Sequence, residues 1–371
     1  MANINLTKAK RAKSDEFYTQ YADIQKEIQA YLDYDPNVFR GKVVYCNCDD
    51  PYESNFFRYF ALKFNEIGLK RLITTSYKSS PVANTQLDLF GESSVDVQHK
   101  GRPKDTAARF IINEVGDMNE DGAYNLSDVA EQLKANKNNE WKPLEGDGDF
   151  RSKECIELLK QADIVVTNPP FSLFREYVAQ LVEFDKSFLI IGNKNAITYK
   201  EIFPLIKDNK MWVGAGSISK DILFIAPDNA ELSDKPATAV RVVDGVTYLR
   251  SPSVWFTNLD HGRRHRPLSL LTMQDNLQFN DKVKKSDTAY QKYDNYDAIE
   301  VPFTEAIPSD CDGVMGVPIS FLDKYDADQF EILGSNRGID QDPNGYYGRG
   351  SYMDGKETFK RLFIKHRKAE A

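Results

Sequence analysis

The sequence predicts an α/β protein whose open, mostly parallel sheet is interrupted by a polar insertion and followed by a less regular C-terminal domain. Short apolar runs typical of buried strands alternate with stretches whose apolar residues recur at helical spacing, which favours parallel strands joined by helices. Residues from about 79 to 140 are polar and break this alternation. Beyond Asp260 the apolar runs are short and scattered. These observations together define the predicted fold class.

The first repeating unit is a strand, a helix and a second strand. Residues 42–47 form an apolar run, and the Asp-Asp-Pro sequence at 49–51 ends it. Phenylalanines recur at helical spacing over residues 56–67, and Gly68 closes that helix. The β-branched run over residues 70–77 is typical of the next strand, so the unit is βαβ.

The alternation resumes after the insertion. It predicts helices at 152–162, 174–184 and 198–209 and strands at 163–167, 187–191 and 211–213. Asp244-Gly245 lies between two β-branched runs and is typical of a type I′ hairpin, which predicts that the sheet ends with an antiparallel pair. A last strand is predicted at 361–364.

The composition excludes several classes of protein. The 371 residues are 41% hydrophobic and 28% charged, which suits two packed domains and not a disordered chain. No apolar run reaches the roughly 20 residues that span a bilayer, and the start of the chain lacks the apolar segment of a signal peptide. We therefore expect a cytoplasmic protein with no membrane contact and with its four scattered cysteines reduced. Because the net charge is −8, nucleic-acid binding requires a local basic cluster.

The most specific signal lies where the strand predicted at 163–167 ends. The next residues are Asn168-Pro169-Pro170-Phe171, and ligands of open α/β sheets bind at the carboxyl ends of the strands. The Asn side-chain oxygen and a carbonyl flanked by proline form two acceptors that can hold both hydrogens of an NH2 group. They would favour a pyramidal nitrogen whose lone pair can attack, while Phe171 stacks on the ring that carries the amine. The alternative is a stiff turn that only closes the strand.

This tetrapeptide resembles the fourth motif, Asn-Pro-Pro-Phe/Tyr, of the amino-methylating DNA methyltransferases that use S-adenosylmethionine. Nearly the whole chain is similar to one group of them, the EcoRI-type adenine-specific methyltransferases. The similar stretches are residues 13–19, 43–51, 146–152, 163–171 and 316–321. The resemblance implies a Rossmann-like S-adenosylmethionine-dependent methyltransferase sheet in a catalytic domain over residues 1–260, and a DNA target-recognition region over residues 261–371.

The activity that the resemblance implies is transfer of methyl from S-adenosylmethionine to N6 of an adenine flipped out of double-stranded DNA. Asn168 and Pro169 would accept hydrogen bonds from N6, and Phe171 would stack on the flipped base. Three arginines in the C-terminal region would contact DNA, namely Arg263, Arg264 and Arg266. The enzyme would act within a restriction and modification pair, or as a solitary or phage-borne enzyme. In such a pair the restriction endonuclease is not bound stably, and we expect a monomer.

The cofactor residues that the resemblance implies fall in three stretches. Tyr18 and Thr19 match the motif that holds the methionine end, the carboxylates of Asp49-Asp50-Pro51 would attract its ammonium group, and Asp149-Phe150 match the motif that reads the cofactor adenine. Two of these three stretches have a structural alternative. Asp49-Asp50 would also serve as a helix N-terminal cap, and Asp149-Phe150 as an ordinary turn.

The sequence departs from the wider superfamily at two places. The residues after Pro51 are Tyr-Glu-Ser-Asn in place of a glycine-rich loop, and no acidic residue follows the strand at 70–77 to bind the ribose, although Glu114 or Asp117 could substitute. Two other hypotheses therefore stay open. One is a methyltransferase acting on RNA or on a protein amide nitrogen, and the other is a DNA-binding protein that has lost catalysis.

A loop in the insertion resembles a calcium-binding loop. Residues 117–128 carry oxygen side chains at loop positions 1, 3, 5 and 12 and Gly at position 6, which gives the candidate ligands Asp117, Asn119, Asp121 and Asp128. Position 12 is Asp and not the bidentate Glu. An Asx-rich turn capping the helix that starts near Asp128 explains the same residues.

Other enzyme classes lack their sequence signatures. None of the four cysteines follows a proline, as a cytosine-C5 methyltransferase nucleophile would, and the chain has no Walker or His-Glu-x-x-His motif. Trp255 and Phe256 lie in an apolar run and are interpreted as core in preference to a second stacking wall for the base.

Overall fold

The structure of the chain is a computed structural model. It describes residues 18–48, 54–76, 107–118, 126–135, 138–226, 232, 236–337 and 350–367. No helix in these ranges is long and apolar enough to cross a membrane. All four cysteines are free thiols.

The chain alternates strands and helices in its first two thirds. The strands are β1 (Tyr18–Thr19), β2 (Val43–Cys46), β3 (Arg71–Thr75), β4 (Ala108–Ile112), β5 (Glu140–Pro143), β6 (Ile164–Thr167), β7 (Ser187–Asn193), β8 (Trp212–Val213), β9 (Ile222–Ile225), β10 (Val240–Val243), β11 (Val246–Ser251), β12 (Ser253–Thr257), β13 (Ala298–Glu300), β14 (Val314–Pro318), β15 (Phe330–Ser335), β16 (Tyr352–Met353), β17 (Lys356–Glu357) and β18 (Arg361–His366). The helices are α1 (Tyr21–Tyr34), α2 (Asn55–Leu62), α3 (Leu126–Ala135), α4 (Lys153–Gln161), α5 (Phe174–Glu183), α6 (Phe203–Lys207), α7 (Met273–Phe279) and α8 (Asp281–Lys284).

The chain divides into two compact units. The first comprises residues 1–193 and 220–259, and the second comprises residues 194–219 and 260–371. The sequence also predicts a boundary at 260, but residues 194–219 are predicted to belong to the first part because the helix predicted there continues the α/β alternation. That helix is short in the structure, only Phe203–Lys207, and the segment belongs to the second unit.

Seven strands of the first unit lie in one sheet, in the order β5-β4-β3-β2-β6-β7-β12. The central strands β3, β2, β6 and β7 are parallel, whereas β4, β5 and β12 run antiparallel to their neighbours. The chain passes from β2 to β3 on one side and later returns to β6 on the other side of β2. Such a reversal opens a crevice at the carboxyl ends of the two strands, where open α/β sheets bind ligands.

The sheet is therefore mixed and not mostly parallel as predicted. The region predicted as an insertion contributes β4, which alternates buried and half-buried residues as a strand with one covered face does. Polar residues around this short strand conceal it in the sequence. β5 follows at the far end of the same region and pairs with β4.

A second sheet of the first unit has the order β1-β9-β11-β10, with all pairs antiparallel. Asp244 and Gly245 both have positive φ, 50° and 80°, as the predicted type I′ hairpin requires. The hairpin belongs to this small sheet. The prediction that it ends the large sheet is therefore wrong. Beside β7 the large sheet instead has β12, which is buried over its whole length, whereas β10 is largely exposed and suits a surface sheet.

The core of the first unit lies between the large sheet and its helices. It contains the two aromatic residues of β12, since Trp255 is 5% exposed and Phe256 is fully buried. Phe56 of α2 contacts Trp255 edge to face with ring centroids 5.9 Å apart, and Phe174 of α5 lies 5.1 Å from Phe256. Both aromatic residues therefore serve packing, as the sequence analysis favours.

The second unit is built on a sheet with the order β13-β14-β18-β15. Its interior holds a buried ion pair, because Arg361 Nη2 and Nε donate to the Glu300 carboxylate at 2.5 and 3.0 Å, and Tyr293 donates its hydroxyl to the same group. Gly316 on β14 leaves room for this arrangement, since a Cβ there would lie 2.2 Å from the Tyr293 hydroxyl oxygen. Packing thus explains the glycine of the 316–321 stretch.

Candidate active site

The predicted catalytic tetrapeptide begins where β6 ends. β6 finishes at Thr167, and its neighbour β2 finishes at Cys46, so Asn168 and Asn47 follow the ends of adjacent parallel strands. Both lie at the carboxyl edge of the sheet, at the reversal between β2 and β6. The structure therefore places the tetrapeptide where the fold binds ligands.

A buried hydrogen-bond network joins these two strand ends. The Thr167 hydroxyl donates to the Asn47 backbone carbonyl, and the Tyr177 hydroxyl of α5 donates to Asn47 Oδ1. Asn47 is 2% exposed, and Thr167 and Tyr177 are fully buried. Burial raises the pKa of Tyr177 well above its ordinary value, so the hydroxyl stays protonated and remains a donor. The network fixes β6 against β2 immediately before Asn168.

The tetrapeptide itself forms a turn that leads into α5. Pro169 is buried, Asn168 and Phe171 are half-buried, and the Leu173 amide donates to the Pro170 carbonyl at 2.9 Å. This contact makes a single 3₁₀ turn over Phe171–Leu173, from which α5 continues. The two prolines remove backbone donors, so the turn presents carbonyl oxygens. It therefore combines rigidity with the acceptors that an amine requires.

The ring of Phe171 contacts a core residue of the small sheet. Its ring lies 6.4 Å from that of Phe224 on β9, at an interplanar angle of 72°. Phe224 is 1% exposed and belongs to the core, while Phe171 remains half-buried. An edge-to-face contact of this kind orients the Phe171 ring against a fixed neighbour.

The residues predicted to hold the methionine end of the cofactor lie on β1. Thr19 pairs with Phe224 across the two strands, and Asn55 Nδ2 at the start of α2 donates to the Thr19 carbonyl at 2.8 Å. Thr19 is 3% exposed, and its hydroxyl oxygen has no hydrogen-bond partner among the residues that the structure describes. A buried hydroxyl normally has a partner. This one therefore fits a polar group supplied by a bound ligand.

The predicted cofactor stretch that contains Asp149 and Phe150 lies over the end of β3. Gly148 has φ +79°, and a Cβ there would lie 2.0 Å from the Ser76 carbonyl oxygen, so only glycine admits this approach. The stretch is thereby held at the carboxyl edge of the sheet, beside β2. Gly148 is a site residue that the sequence analysis includes in a matched stretch without assigning it a role.

Asp149 and Phe150 have defined contacts in this loop. Asp149 forms an ion pair with Arg151, whose Nη2 and Nε donate to its two carboxylate oxygens at 2.6 and 2.9 Å. Burial alone would raise the pKa of Asp149, but the hydrogen bonds and charge of Arg151 outweigh it and hold that pKa below its ordinary value. The Phe150 ring is 3% exposed and lies 5.0 Å from the Tyr177 ring, edge to face. Tyr177 thus contacts both the adenine-motif loop and the end of β2.

The predicted cofactor stretch Asp49-Asp50-Pro51 lies outside the described residues. The structure describes the residues on either side of it. Cys48 has φ 62°, which turns the chain away from β2, and the Ser54 hydroxyl caps α2 by accepting from the amides of Phe56 and Phe57 at 3.1 and 3.2 Å. Ser54 therefore has the N-terminal capping role that the sequence analysis weighs for the acidic pair.

The proposed substitutes for a ribose-binding carboxylate lie beyond β4. Glu114 Oε1 accepts from Gln132 Nε2 of α3 at 2.9 Å, and its backbone carbonyl accepts from Asn139 at 2.9 Å. Glu114 thereby connects β4 to α3. These contacts are structural ones, and a ribose contact of Glu114 or Asp117 stays a prediction.

Asn47 and Tyr177 belong to the candidate site by their contacts, and they are not identified in the sequence analysis. Asn47 could have been found, since it is a polar residue directly after a buried strand at the predicted binding edge. Tyr177 gives no such signal, because it lies on the apolar face of α5 among core residues.

The predicted DNA-binding arginines lie in the second unit and have different surroundings. Arg263 Nη1 donates to the Ala215 and Gly216 carbonyls. Arg264 lies over the Trp212 ring at 3.5 Å and donates to Asp260 Oδ1 at 2.8 Å. Both contacts stabilise the unit itself.

Arg266 is exposed, and no partner of its side chain occurs among the residues described. It is the member of the cluster whose guanidinium is available to an external phosphate. DNA contact by any of the three arginines stays a prediction.

A buried histidine adjoins this cluster. His261 is 3% exposed, and its Nε2 lies 3.1 Å from the Val213 carbonyl oxygen. Burial lowers the pKa of His261 to about 4, with the Arg264 and Arg263 charges acting in the same direction. The ring is therefore neutral at pH 7, with Nε2 protonated to donate to the carbonyl.

The calcium prediction gains no support from the structure. Asn119 and Asp121 lie outside the described residues, and within the described ranges no group of three or more His, Cys, Asp or Glu side chains could hold a metal ion. Asp128 is fully buried at the start of α3, where its Oδ1 accepts from the Met118 amide at 2.8 Å. This contact matches the alternative of a turn closed by an Asx side chain.

The site combines an Asn-Pro-Pro-Phe turn at the reversal of the sheet with neighbouring strand ends that carry residues predicted to hold the cofactor. This combination on an open α/β sheet defines the class of amino-methylating methyltransferases that use S-adenosylmethionine. Comparison with known proteins agrees, because the family model described as adenine-specific methyltransferase EcoRI matches residues 5–369. The chain therefore belongs to the EcoRI family of adenine-specific methyltransferases.

Several curated relatives extend over almost the full chain. The type II methyltransferase M.EcoRI of Escherichia coli is 41% identical over 367 residues, covering 98% of this chain and 97% of that protein. The type II methyltransferase M.MpnI of Mycoplasma pneumoniae is 34% identical over 370 residues, covering 97% of each. M.MgeORF184P of Mycoplasma genitalium is 33% identical over 330 residues, covering 89% of this chain and 85% of that protein. No solved structure matches the chain significantly.

Proposed function

We propose that this protein transfers a methyl group from S-adenosylmethionine to N6 of an adenine flipped out of duplex DNA, at a specific site and as the modification half of a restriction and modification system. The observation that carries the proposal is the position of Asn168-Pro169-Pro170-Phe171 at the sheet reversal, beside the residues of β1 and the 146–150 loop that fit the cofactor. Family membership supplies the adenine specificity.

The chain's own residues would act on the amine of the target base. Asn168 Oδ1 and the Pro169 carbonyl would each accept a hydrogen of N6, which localises the nitrogen lone pair for attack. Phe171 would stack on the flipped adenine and hold N6 in line. S-adenosylmethionine, when bound, supplies an electrophilic methyl group on a sulfonium. The amine loses one hydrogen as a proton, and no nucleophilic side chain is required.

The cofactor would be held along the carboxyl edge of the large sheet. Thr19 would place its buried hydroxyl against the polar methionine end, and the carboxylates of Asp49 and Asp50 would attract the ammonium group. Asp149 and Phe150 would read the adenine end. Since Asp149 already pairs with Arg151, it would accept from the adenine amino group with the remaining lone pairs of its oxygens.

The second unit would carry target recognition on double-stranded DNA. Its exposed Arg266 is suited to a phosphate or base contact, whereas Arg263 and Arg264 would order the surface around it. We expect a cytoplasmic monomer that shares its recognition sequence with a restriction endonuclease and does not bind that enzyme stably.

Tritium transfer from labelled S-adenosylmethionine into unmethylated plasmid tests the proposal. Wild type should produce N6-methyladenine on nucleoside analysis, and Asn168→Ala should abolish it while calorimetry still detects cofactor binding. Asn37→Ala, on the exposed turn after α1 where Oδ1 accepts from Arg40 Nε at 3.0 Å, is the matched control and should retain activity.

Two outcomes would favour the alternatives. Label found only in RNA or protein, with cofactor binding intact, would indicate a different polymer substrate. A folded wild type that binds DNA but no cofactor would indicate a DNA-binding protein without catalysis.

A further inference from the structure

The carboxylate of Asp149, in the loop before α4, receives three hydrogen bonds from one residue. Arg151 donates from its backbone amide and from Nε to Oδ1, at 2.8 and 2.9 Å, and from Nη2 to Oδ2 at 2.6 Å. A carboxylate has about four acceptor positions, two on each oxygen. Both positions on Oδ1 are therefore occupied, and the position left for a ligand is on Oδ2.

A ligand can reach this position on Oδ2. The Asp149 side chain is 20% exposed, so it is neither sealed in the core nor surrounded by water. Burial alone would raise the pKa of Asp149, but the hydrogen bonds and charge of Arg151 hold that pKa below its ordinary value. The carboxylate is therefore ionised at pH 7, and Oδ2 offers an acceptor and no donor.

Arg151 is itself held by α5. Glu176 Oε2, in the first turn of that helix, accepts from Arg151 Nη1 at 2.8 Å. Further along the helix, Gln180 Nε2 donates to the Phe150 carbonyl at 3.2 Å. The donors of a guanidinium lie in one rigid plane, so the contact with Glu176 also orients the Nε and Nη2 donors of Arg151. The helix α5 thus orients the Asp149 carboxylate through Arg151.

Stability alone does not account for this arrangement. The side chains of Arg151 and Glu176 are 50% and 49% exposed, and ion pairs exposed to this extent stabilise a fold little. The proposed methyl transfer assigns no role to Arg151. The larger consequence of its contacts is geometric, because they determine which atom of Asp149 meets a ligand.

We propose that Arg151 is a positioning residue that selects the base of the cofactor: by leaving Asp149 an acceptor on Oδ2, it favours a purine with a 6-amino group over one with a 6-oxo group. An amino group donates to Oδ2, whereas a 6-oxo group would place its own lone pairs against an ionised oxygen. Such a repulsive contact is one way in which a site rejects a close analogue. The inference rests on the proposed function, since it takes Asp149 to face the adenine of S-adenosylmethionine.

The test measures the affinity of the full chain for two stable cofactor analogues by calorimetry. They are S-adenosylhomocysteine, with a 6-amino group, and S-inosylhomocysteine, with a 6-oxo group in its place. Wild type should bind the adenosyl compound about 10- to 100-fold more tightly, the range expected for one hydrogen bond to a charged group. The 6-oxo purine also has a hydrogen on N1, so the change in this ratio between variants isolates the contact with Asp149.

Arg151→Met should reduce the ratio. Affinity for S-adenosylhomocysteine should fall about 5- to 20-fold because the carboxylate is no longer oriented, whereas affinity for S-inosylhomocysteine should change less than about twofold because that compound has no hydrogen bond to Asp149 to lose. With S-adenosylmethionine, KM should rise by a similar factor and kcat should fall less than about threefold, since the adenine end of the cofactor does not react.

Arg250→Met is the matched control. Arg250 is another exposed arginine paired with a carboxylate, since its Nε donates to Asp221 Oδ2 at 2.7 Å and its side chain is 61% exposed. The substitution should leave both affinities within about twofold of wild type. Arg151→Met and Arg250→Met should both melt within about 3 °C of wild type, because each removes exposed ion pairs.

Asp149→Asn is a second test that keeps the shape of the side chain. Its amide can place a donor where Oδ2 lies, so the preference should disappear or reverse in favour of the 6-oxo compound. In this background Arg151→Met should change the ratio less than about twofold, because Arg151 acts on the ratio through the carboxylate.

Several results would overturn the inference. An equal loss of affinity for both compounds in Arg151→Met would show that Arg151 only supports the loop. A wild-type ratio in Asp149→Asn would show that Asp149 does not face position 6 of the purine, and a further fall in the double variant would show that Arg151 acts independently of Asp149. A folded wild type that bound neither compound would exclude the cofactor site altogether. Failure of the proposed function alone is a different result, because the wild type would then show the expected ratios and form no N6-methyladenine in DNA.

Discussion

Tyr177→Phe tests whether the network between β2 and β6 positions the catalytic turn. The substitution removes the hydroxyl that donates to Asn47 Oδ1 and keeps the ring that packs on Phe150 at 5.0 Å. Asn47 is 2% exposed, so its oxygen would lose a buried donor. An unsatisfied buried acceptor costs about 1–3 kcal/mol in the free energy of unfolding. For a unit of this size, that lowers the melting temperature by about 2 to 12 °C.

The effect on catalysis should exceed the effect on stability. Asn47 accepts from Thr167, the residue before Asn168, so a shift of Asn47 moves the acceptor that must meet the amine. Displacements of about 1 Å in a reacting pair cost about 100-fold in rate. We expect kcat for methyl transfer to fall about 10- to 100-fold in Tyr177→Phe, measured with both substrates saturating and at a temperature where the variant is folded.

Tyr31→Phe is the matched control for this prediction. Tyr31 is also fully buried, and its hydroxyl donates to Glu27 Oε1 at 3.1 Å within α1. The control should lose similar stability and keep its kcat. If Tyr177→Phe kept its kcat while its melting temperature fell as in Tyr31→Phe, the network would serve stability alone and the positioning argument would be wrong.

Three further predictions concern other parts of the chain. In Gly148→Ala the new Cβ would lie 2.0 Å from the Ser76 carbonyl oxygen. The substitution should therefore lower the free energy of unfolding by about 1–3 kcal/mol through backbone strain and weaken S-adenosylmethionine binding measured by calorimetry. Normal cofactor affinity would disprove this role of the loop. His261 has a folded pKa of about 4, below its ordinary value of about 6.5, so the unfolded chain gains a proton first as pH falls. Stability should decrease between about pH 6.5 and 4, by about 3 kcal/mol in total, and denaturant titrations should show a flatter profile for His261→Gln. Arg264→Ala should lower the melting temperature by several degrees because the stacked guanidinium is lost, whereas Arg266→Ala should leave it unchanged and reduce the salt slope of DNA binding by about one; the reverse pattern would contradict the roles assigned here.

The position of the tetrapeptide was predictable from the sequence alone. A buried-type strand followed by Asn-Pro-Pro-Phe fixes both the element and its end, and the topology of α/β sheets directs that end to the binding edge. The strands β2, β3, β6 and β7 were predicted to within a few residues for the same reason, since each is a short apolar run between clear breaks.

Features that depend on partners distant in sequence were not predictable in this way. The contacts of Asn47 with Thr167 and Tyr177 join residues 120 and 130 positions apart. The apolar periodicity of α5 identifies Tyr177 as buried but says nothing of what its hydroxyl meets. The sheet that receives the Asp244-Gly245 hairpin is likewise decided by the pairing of β11 with β9 and of β12 with β7, which the turn residues do not determine.

The surroundings of individual arginines were not predictable from local charge for a related reason. Arg264 and Arg361 belong to basic clusters in the sequence, yet they are fixed on Trp212 and Glu300 in the second unit. A guanidinium is planar and weakly hydrated, so it packs on aromatic rings and in buried ion pairs more readily than an ammonium does. A run of basic residues therefore predicts charge along the chain without predicting which side chains face outwards.

The pairing of β1 with β9 also sets the order in which the enzyme can mature during its synthesis. Gln20 reaches across this pairing to the Leu223 carbonyl, a contact between residues 203 positions apart. A nascent chain that has not yet emerged to β9 lacks the strand that holds Thr19 and also lacks the Phe224 ring that orients Phe171. Contacts of such long range form late, because the loop between them must close first. The ribosome-bound chain should therefore order the Phe171 ring and the strand that carries Thr19 together, after β9 has emerged.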